Sequence, residues 1–398
     1  MREIKNRAER LSQELVDWRR HLHARPERSF HEEETAAFVA DVLDTIPGMD
    51  VKRNVGGHGV VGTLEKGQGP VVALRADMDA LPIQEENDHS FASTRPGVMH
   101  ACGHDAHTAI LLGAAMILGE RFQNDEAIGT VKFLFQPAEE QMDEANKTGA
   151  LYMIEDGALD NVEAILALHV CPWLRPDAIQ VNAGASMASV DVFTGTIRGS
   201  GGHGAYPHLG VDPVWLLSHV LPSIYGLTGR LVSPLTPAVV SVGRINAGHT
   251  SNVIPSEVTV EGTIRCYDED VRMQLTEEIQ KTFALANTFG GEGECVVEHG
   301  EPALMNDAML TELLQASAKE LYPELTVKWE PFGLGGEDFA HMTKAARGAM
   351  FFLGCQPEFG QYDLHTPSFQ IDERCLPKGA AILVASTEQL LQNTGVKS

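Results

Sequence analysis

Val71-Val72-Ala73-Leu74-Arg75-Ala76-Asp77-Met78-Asp79-Ala80-Leu81-Pro82 begins as an apolar run and ends in two acids and a proline. The apolar part has the length of one strand. It does not alternate with polar residues, which marks a strand buried on both faces rather than one with a wet side. The segments around it repeat the theme. Gly59–Leu64 reads as a strand, Asp105–Arg121 as a helix with an acidic first turn, and Thr130–Phe135 and Ala164–Leu168 as further strands. Upstream, Leu11, Leu15, Trp18 and Leu22 recur at helical spacing between Glu3 and about Arg25, and Pro26 stops the pattern. Glu32–Leu43 reads as a second helix. Apolar strands alternating with helices predict a largely parallel or mixed sheet covered on both faces.

The texture changes near Gly184. Val190–Arg198 alternates, a helix is expected over Asp212–Arg230, and strands over Ala238–Ile245 and Glu257–Cys266. A helix at Asp268–Thr288 and a strand at Glu294–Glu298 complete a β-α-β-β-α-β order, the ferredoxin-like unit. After Glu301 the first texture resumes, with a helix at Asp307–Leu321, strands at Leu325–Trp329 and Ala349–Leu353, and a last helix from about Pro377. The expected organisation is one α/β domain over residues 1–184 and 301–398, interrupted by an inserted α+β domain over 185–300.

The chain has 398 residues, 43% of them hydrophobic and 21% charged, enough for two domains with real cores. Its net charge of -25 repels nucleic-acid phosphates and anionic lipid, so neither is expected as a partner. The six cysteines are scattered and read as buried thiols or metal ligands rather than a disulfide framework. The amphipathic N-terminus lacks the apolar core of a signal peptide, and the longest apolar stretch, Ala109–Gly119, is too short to span a bilayer. A soluble, cytoplasmic protein is the expectation.

In open α/β sheets, ligands bind beyond the carboxyl ends of the strands. There the sequence places Asp77 and Asp79 after one strand, Glu139 and Glu140 after another, and His169 at the end of a third. His365 follows the Ala349–Leu353 strand, and Cys102 and His104 lead into a helix; two apart, they can point the same way from an extended segment. Taken singly, each has a bland reading: a buried thiol beside a capping histidine, a solvated acidic turn, a core histidine, a surface histidine. Together, one thiolate, one or two carboxylates and three imidazoles suit two divalent metals better than one. The thiolate favours zinc or another borderline transition metal over magnesium or calcium. Adjacent carboxylates at a sheet edge repel and desolvate badly unless cations neutralise them. Two such ions roughly 3.5–4 Å apart can generate hydroxide and clamp a tetrahedral intermediate. A bridging ligand must touch both ions, and Cys102 is the candidate. If Glu140 is a ligand, Glu139 lies beside the activated water and can move its proton.

These segments, with Trp18-Arg19-Arg20-His21-Leu22-His23, Met99-His100-Ala101-Cys102-Gly103-His104-Asp105, Gln136-Pro137-Ala138-Glu139-Glu140, Gly201-Gly202-His203-Gly204-Ala205-Tyr206-Pro207-His208, Ser251-Asn252-Val253-Ile254-Pro255, Gly335-Gly336-Glu337-Asp338-Phe339 and His365-Thr366-Pro367-Ser368-Phe369, resemble in order the dinuclear metallopeptidase family of aminoacylases, hippurate hydrolases, auxin-conjugate hydrolases and related carboxypeptidases. The resemblance covers nearly the whole chain. It implies a mixed-sheet catalytic domain with an inserted lid or dimerisation domain, and two divalent ions (Zn, Mn or Co) per subunit. It implies Cys102, His104, Glu140, His169 and His365 as metal ligands, Glu139 as general base and acid, and Asp79 as the carboxylate orienting the site. It further implies His203 as oxyanion donor, Asn252 and Arg265 as substrate contacts, and a homodimer. The activity implied is hydrolysis of an N-acyl-L-amino acid to a carboxylic acid and an amino acid, with a dipeptidase or carboxypeptidase, or a non-catalytic metal- or ligand-binding protein, as alternatives.

Two segments depart from the family pattern. Gln141–Ala150 stands where relatives commonly have a glycine run, and Tyr362-Asp363-Leu364 lacks the extra histidine that some relatives carry before the last ligand. Among the remaining candidates, His21, His23 and His31 read as structural. His100 and His107 read as supports of the site, Asp77 as a support or a turn residue, Asp105 as a helix N-cap or site residue, and Glu337 and Asp338 as cleft or cap residues.

Overall fold

Every residue of the Ala164–Cys171 strand is buried, as are all but the first of Val71–Asp77. These two lie at the centre of an eight-stranded sheet. In spatial order its strands are Asp50–Val55, Gly59–Lys66, Gly129–Gln136, Val71–Asp77, Ala164–Cys171, Arg347–Gly354, Ala178–Gln180 and Thr326–Lys328. Val71–Asp77 pairs in parallel with Gly129–Gln136 and Ala164–Cys171, and Ala164–Cys171 in parallel with Arg347–Gly354. Gly59–Lys66 runs antiparallel to Gly129–Gln136, and Asp50–Val55 antiparallel to Gly59–Lys66, so the sheet is mixed. Two long buried helices, His104–Gln123 and Leu376–Gln392, pack on each other and on the sheet. The structure, a computed structural model, describes residues 1–124, 126–360 and 362–392.

The chain forms two units. The first, with the large sheet, comprises Met1–Gly184, Met305–Phe332 and Asp338–Ser398; the second comprises Ala185–Leu304 and Gly333–Glu337. In the second unit a four-stranded antiparallel sheet runs Ala238–Ala247, Glu257–Cys266, Ser189–Arg198, Glu292–His299. The first strand in chain order thus lies between the third and fourth, the ferredoxin-like arrangement. Ser189–Arg198 alternates buried and more exposed positions, and its inward Phe193 and Ile197 meet Leu216, Val220 and Ile224 of one helix and Leu275, Ile279 and Phe283 of the other. Asp212 and Asp268 cap those helices, accepting backbone N–H bonds from Val214 and Trp215 and from Val271.

Several elements differ from the sequence expectations. The N-terminal helix is two, Arg2–Arg10 and Ser12–His23, with Leu11 between them. The helix expected at Asp268–Thr288 is likewise broken at Ala284. Asp50–Val55, Ala178–Gln180 and the helices Gly149–Glu155 and Phe339–Ala345 were not expected. Asp105 caps nothing: it is buried and accepts from Arg19 Nε at 2.8 Å and from His23 Nδ1 at 2.8 Å, partners over eighty residues away in sequence. Among the described residues no helix is long and apolar enough to cross a membrane.

Candidate metal centre

The site is built at the carboxyl ends of the central strands. Cys102 and His104 are not on an extended segment. Gly103 between them is left-handed (φ 97°), and His104 opens the His104–Gln123 helix. That turn, rather than strand geometry, aims both side chains the same way. A Cβ on residue 103 would meet Val170 Cγ2 at 2.3 Å, so only glycine fits there. On the opposite side, Ala138 (φ 47°) turns the chain after the Gly129–Gln136 strand and presents Glu139 and Glu140. His365, also left-handed (φ 59°), is held by its N–H on Ala101 O at 2.8 Å.

The other four donors gather around Cys102. Its Sγ lies 3.3 Å from His169 Nε2 and 3.4 Å from His365 Nε2. Glu140 Oε1 is 3.4 Å from His365 Nε2 and 3.7 Å from His104 Nε2. Cys102, His104 and His169 form one triad of donor atoms lying within 4.8 Å of one another, and Cys102, Glu140 and His365 form another. Cys102 is the residue they share.

The hydrogen bonds turn the Nε2 atoms of two imidazoles inward. His104 turns Nδ1 toward Asp79 O (2.9 Å) and Oδ1 (3.2 Å), and His169 turns Nδ1 toward Val170 O (2.7 Å). Each imidazole bonds outward through Nδ1 and turns Nε2 inward, the arrangement that orients metal-binding histidines. His104 Nε2 and Glu140 Oε1 are buried with no hydrogen-bond partner. Asp79 Oδ2 accepts from Ser29 Oγ (2.6 Å) and from the Glu140 N–H (3.0 Å), so one carboxylate steadies both sides of the site. His107 is a support rather than a donor to an ion. Its Nδ1 meets Asp77 Oδ1 at 2.6 Å and its Nε2 accepts the Val170 N–H at 2.9 Å, so both nitrogens are occupied.

The electrostatics need cations. Burial and the nearby Glu140, Glu139 and Asp77 push the Cys102 thiol well above its ordinary value. Burial works to lower His104, but Asp77, Asp79 and Glu140 outweigh it and carry the imidazole up to about 10. Burial and His107 hold His169 well below the ordinary range, so it is neutral. A thiol, imidazoles and a carboxylate with buried, unpartnered atoms aimed at one another fit a borderline transition metal better than any protein partner.

Two supports of this site are not among the candidates named from the sequence. Glu32, whose carboxyl is pushed up to about 8 by burial and Asp79, accepts with Oε1 the N–H groups of Phe30 (3.1 Å) and Ala138 (2.7 Å). Both are left-handed non-glycine residues, so one carboxyl group pins two strained turns, one of them just before Glu139. Arg75, wholly buried, donates to Gln136, Asp77 and Asp338 and ties two strand ends to the start of the Phe339–Ala345 helix.

The remaining candidates lie in the second unit. His203 is exposed, on the ribbon Gly202–His203 with Val253–Ile254. Its Nδ1 accepts the Ala205 N–H at 3.0 Å, which puts its proton on Nε2. The ribbon also brings Asn252 beside it, through Gly204 N–H to Asn252 O at 2.9 Å. Arg265 sits on Glu257–Cys266 and donates from Nη1 to Leu334 O at 3.0 Å.

Comparison with known proteins gives this centre its family. The model of peptidase family M20/M25/M40 matches residues 73–389. The chain belongs to that family. It is 38% identical to N-acetyl-L-cysteine deacetylase of Bacillus subtilis, over 96% of this chain and 89% of that protein. It is 35% identical to thermostable carboxypeptidase 2 of Saccharolobus solfataricus, over 95% of each. Among solved structures it resembles the Bacillus subtilis YXEP protein, described as a dinuclear metal binding peptidase from the M20 family, with TM-score 0.84 and 32% identity over 96% of this chain and 99% of that one. As an M20/M25/M40 member the chain is a hydrolase of amide bonds.

Proposed function

We propose that this enzyme hydrolyses N-acyl-L-amino acids to a carboxylic acid and a free amino acid, using two divalent transition ions. The observation that carries the reading is the pair of donor triads sharing Cys102, with Glu139 beside them in a further group with His104 and Glu140. Cys102, His104 and His169 would hold one ion and Cys102, Glu140 and His365 the other. When bound, such ions supply the Lewis acidity that makes water nucleophilic near neutral pH and polarises a carbonyl. Glu139 takes the proton from the water and delivers it to the leaving nitrogen. His203, with its proton on Nε2, is a donor suited to the developing oxyanion, with Asn252 as its polar neighbour. Arg265 is the cation suited to the substrate carboxylate. The second unit is proposed as a lid and a homodimer contact.

A deacetylase among the relatives supports the acyl-amino-acid reading, and a carboxypeptidase among them supports the peptide rival. Rates on a panel of acetyl-, benzoyl- and longer-acyl amino acids beside dipeptides, with the enzyme loaded separately with Zn, Mn and Co, separate the two. The expected outcome is a kcat/KM at least about tenfold higher on acyl-amino acids, a difference of roughly 1.4 kcal/mol. The reverse order would make the protein a peptidase, and no turnover of any amide would make it a binding protein.

Ion loading is coupled to protons. In the ion-free protein at pH 7 the raised values leave Cys102 as a thiol and His104 as an imidazolium, whereas His169 is already neutral. Ligation requires a thiolate and a bare Nε2. Zinc titrations in buffers of different ionisation enthalpy are therefore expected to report release of about two protons from Cys102 and His104. Cys102→Ala should release fewer. Equal release from parent and variant would remove Cys102 from the ligand set.

A further inference from the structure

A second group of metal-type ligands lies in the first unit outside the centre just described: His23 on the Ser12–His23 helix, with Glu85 and His89 on the loop before Met99. We propose that His23, Glu85 and His89 form a separate site for a zinc-type divalent cation. Glu85 Oε1 stands 3.2 Å from His23 Nε2 and 3.3 Å from His89 Nε2, and all three atoms lie within 4.8 Å of one another. A tetrahedral ion with bonds of 2.0–2.1 Å separates its ligand atoms by about 3.3–3.4 Å. Both short distances therefore match edges of that tetrahedron.

Hydrogen bonding alone serves the cluster poorly. Glu85 Oε1 also receives Asn87 Nδ2 at 2.9 Å. Two imidazole nitrogens and an amide would then crowd one oxygen that has two lone pairs. An ion among Oε1 and the two Nε2 atoms removes the conflict and leaves the amide its bond. The surroundings suit ligation. His23 Nδ1 lies 2.8 Å from Asp105 Oδ2, a carboxylate–histidine contact of the kind that orients metal-binding imidazoles, and its Nε2 faces Glu85. Arg19 pairs with Asp105 at 2.8 Å, so the charge of that carboxylate is already met. Glu85 Oε2 is anchored by the Ser93 N–H at 2.5 Å, and the His89 ring stacks on Phe91 with centroids 3.8 Å apart. The His89 side chain is 19% exposed while those of His23 and Glu85 are at most 2% exposed, so His89 marks the solvent side, where water can complete the coordination.

Two imidazoles, one carboxylate and an open fourth position make a zinc-type ligand set. Its occupant would clamp the Ser12–His23 helix and the Glu85–His89 loop to the first turn of the His104–Gln123 helix, where Asp105 sits. None of these three ligands belongs to the Cys102 centre, so the site stands or falls apart from the proposed reaction.

The test compares the full-length protein with His89→Ala, each stripped with chelator, reloaded with zinc and freed of excess by gel filtration, then assayed by elemental analysis. The parent is expected to retain one zinc more than the variant. The zinc-induced rise in Tm should be smaller in the variant, and kcat at full loading should agree within about twofold. His89→Gln, which keeps a polar side chain of similar reach, should lose the same ion and guards against a folding defect in the alanine variant. Equal zinc content and equal zinc-induced Tm shifts in parent and both variants would overturn the proposal and leave a cluster bridged by protons alone.

Discussion

Glu139→Ala is expected to bind the same ions as the parent and to lose about 10²–10⁴-fold in kcat, the range supplied by a positioned general base. The separation of binding from turnover follows from the geometry. The two triads that share Cys102 do not include Glu139, which joins a group with His104 and Glu140. The ions therefore keep Cys102, His104, His169, Glu140 and His365 when the base is removed. Glu139→Gln should behave in the same way, since an amide keeps the shape of the carboxylate but cannot take a proton. KM should change much less than kcat, because the missing interaction is one made while the proton moves. Elemental analysis together with steady-state rates on one N-acyl amino acid decides the matter. A variant with full ion content and a kcat within tenfold of the parent would move the proton transfer to another group. A variant that loses an ion would make Glu139 a ligand.

How much of this was legible in the sequence depends on how local each cause is. Val71–Asp77 and Ala164–Cys171 announce themselves because a strand buried on both faces must be mostly apolar, and only Arg75, Asp77 and His169 interrupt the two runs. Asp50–Val55 is hidden for the opposite reason. It is an edge strand of Asp-Val-Lys-Arg-Asn-Val with one buried residue, so its pairing with Gly59–Lys66 rather than its own pattern makes it a strand. Ala178–Gln180 is too short to show a period. The candidate ligands could be found because acids and imidazoles placed just past apolar strands meet at one sheet edge. The turn that aims Cys102 and His104 could not, since it depends on a left-handed Gly103 packed against Val170. Asp105 shows the limit most plainly. Next to a helix start it looks like a cap, but Arg19 and His23 take both its charge and its hydrogen bonds, and nothing near residue 105 in the sequence points to residue 19. Glu32 is hidden in the same way, because its partner Ala138 is 106 residues away.

Arg75→Ala is the substitution expected to cost the fold most. The Arg75 guanidinium is fully buried and donates from Nε to Gln136 Oε1 (2.8 Å), from Nη1 to Asp77 Oδ2 (2.7 Å) and from Nη2 to Asp338 Oδ1 (2.8 Å). Asp77 and Asp338 are equally buried. Removing the cation takes a charged donor from two buried carboxylates, and breaking a buried pair from one side costs about 3–5 kcal/mol. In a unit of this size that corresponds to a fall in Tm on the order of 10 °C. The damage should also reach the metal centre. Asp77 holds His107, and His107 holds the Val170 N–H beside His169, so a relaxed Asp77 loosens a candidate ligand two links away. Weaker ion binding should therefore accompany the lower Tm, and the Tm is best compared in the ion-free proteins so that ligand linkage does not enter. Arg75→Met with Asp338→Leu removes charge from both sides and should recover part of the loss, because an apolar replacement of a whole pair is cheaper than half a pair. A Tm within about 2 °C of the parent for Arg75→Ala, about 1 kcal/mol for a unit of this size, would mean that water reaches the network and screens it, and the centre's rigidity would then have to come from Asp79 and Glu32 alone.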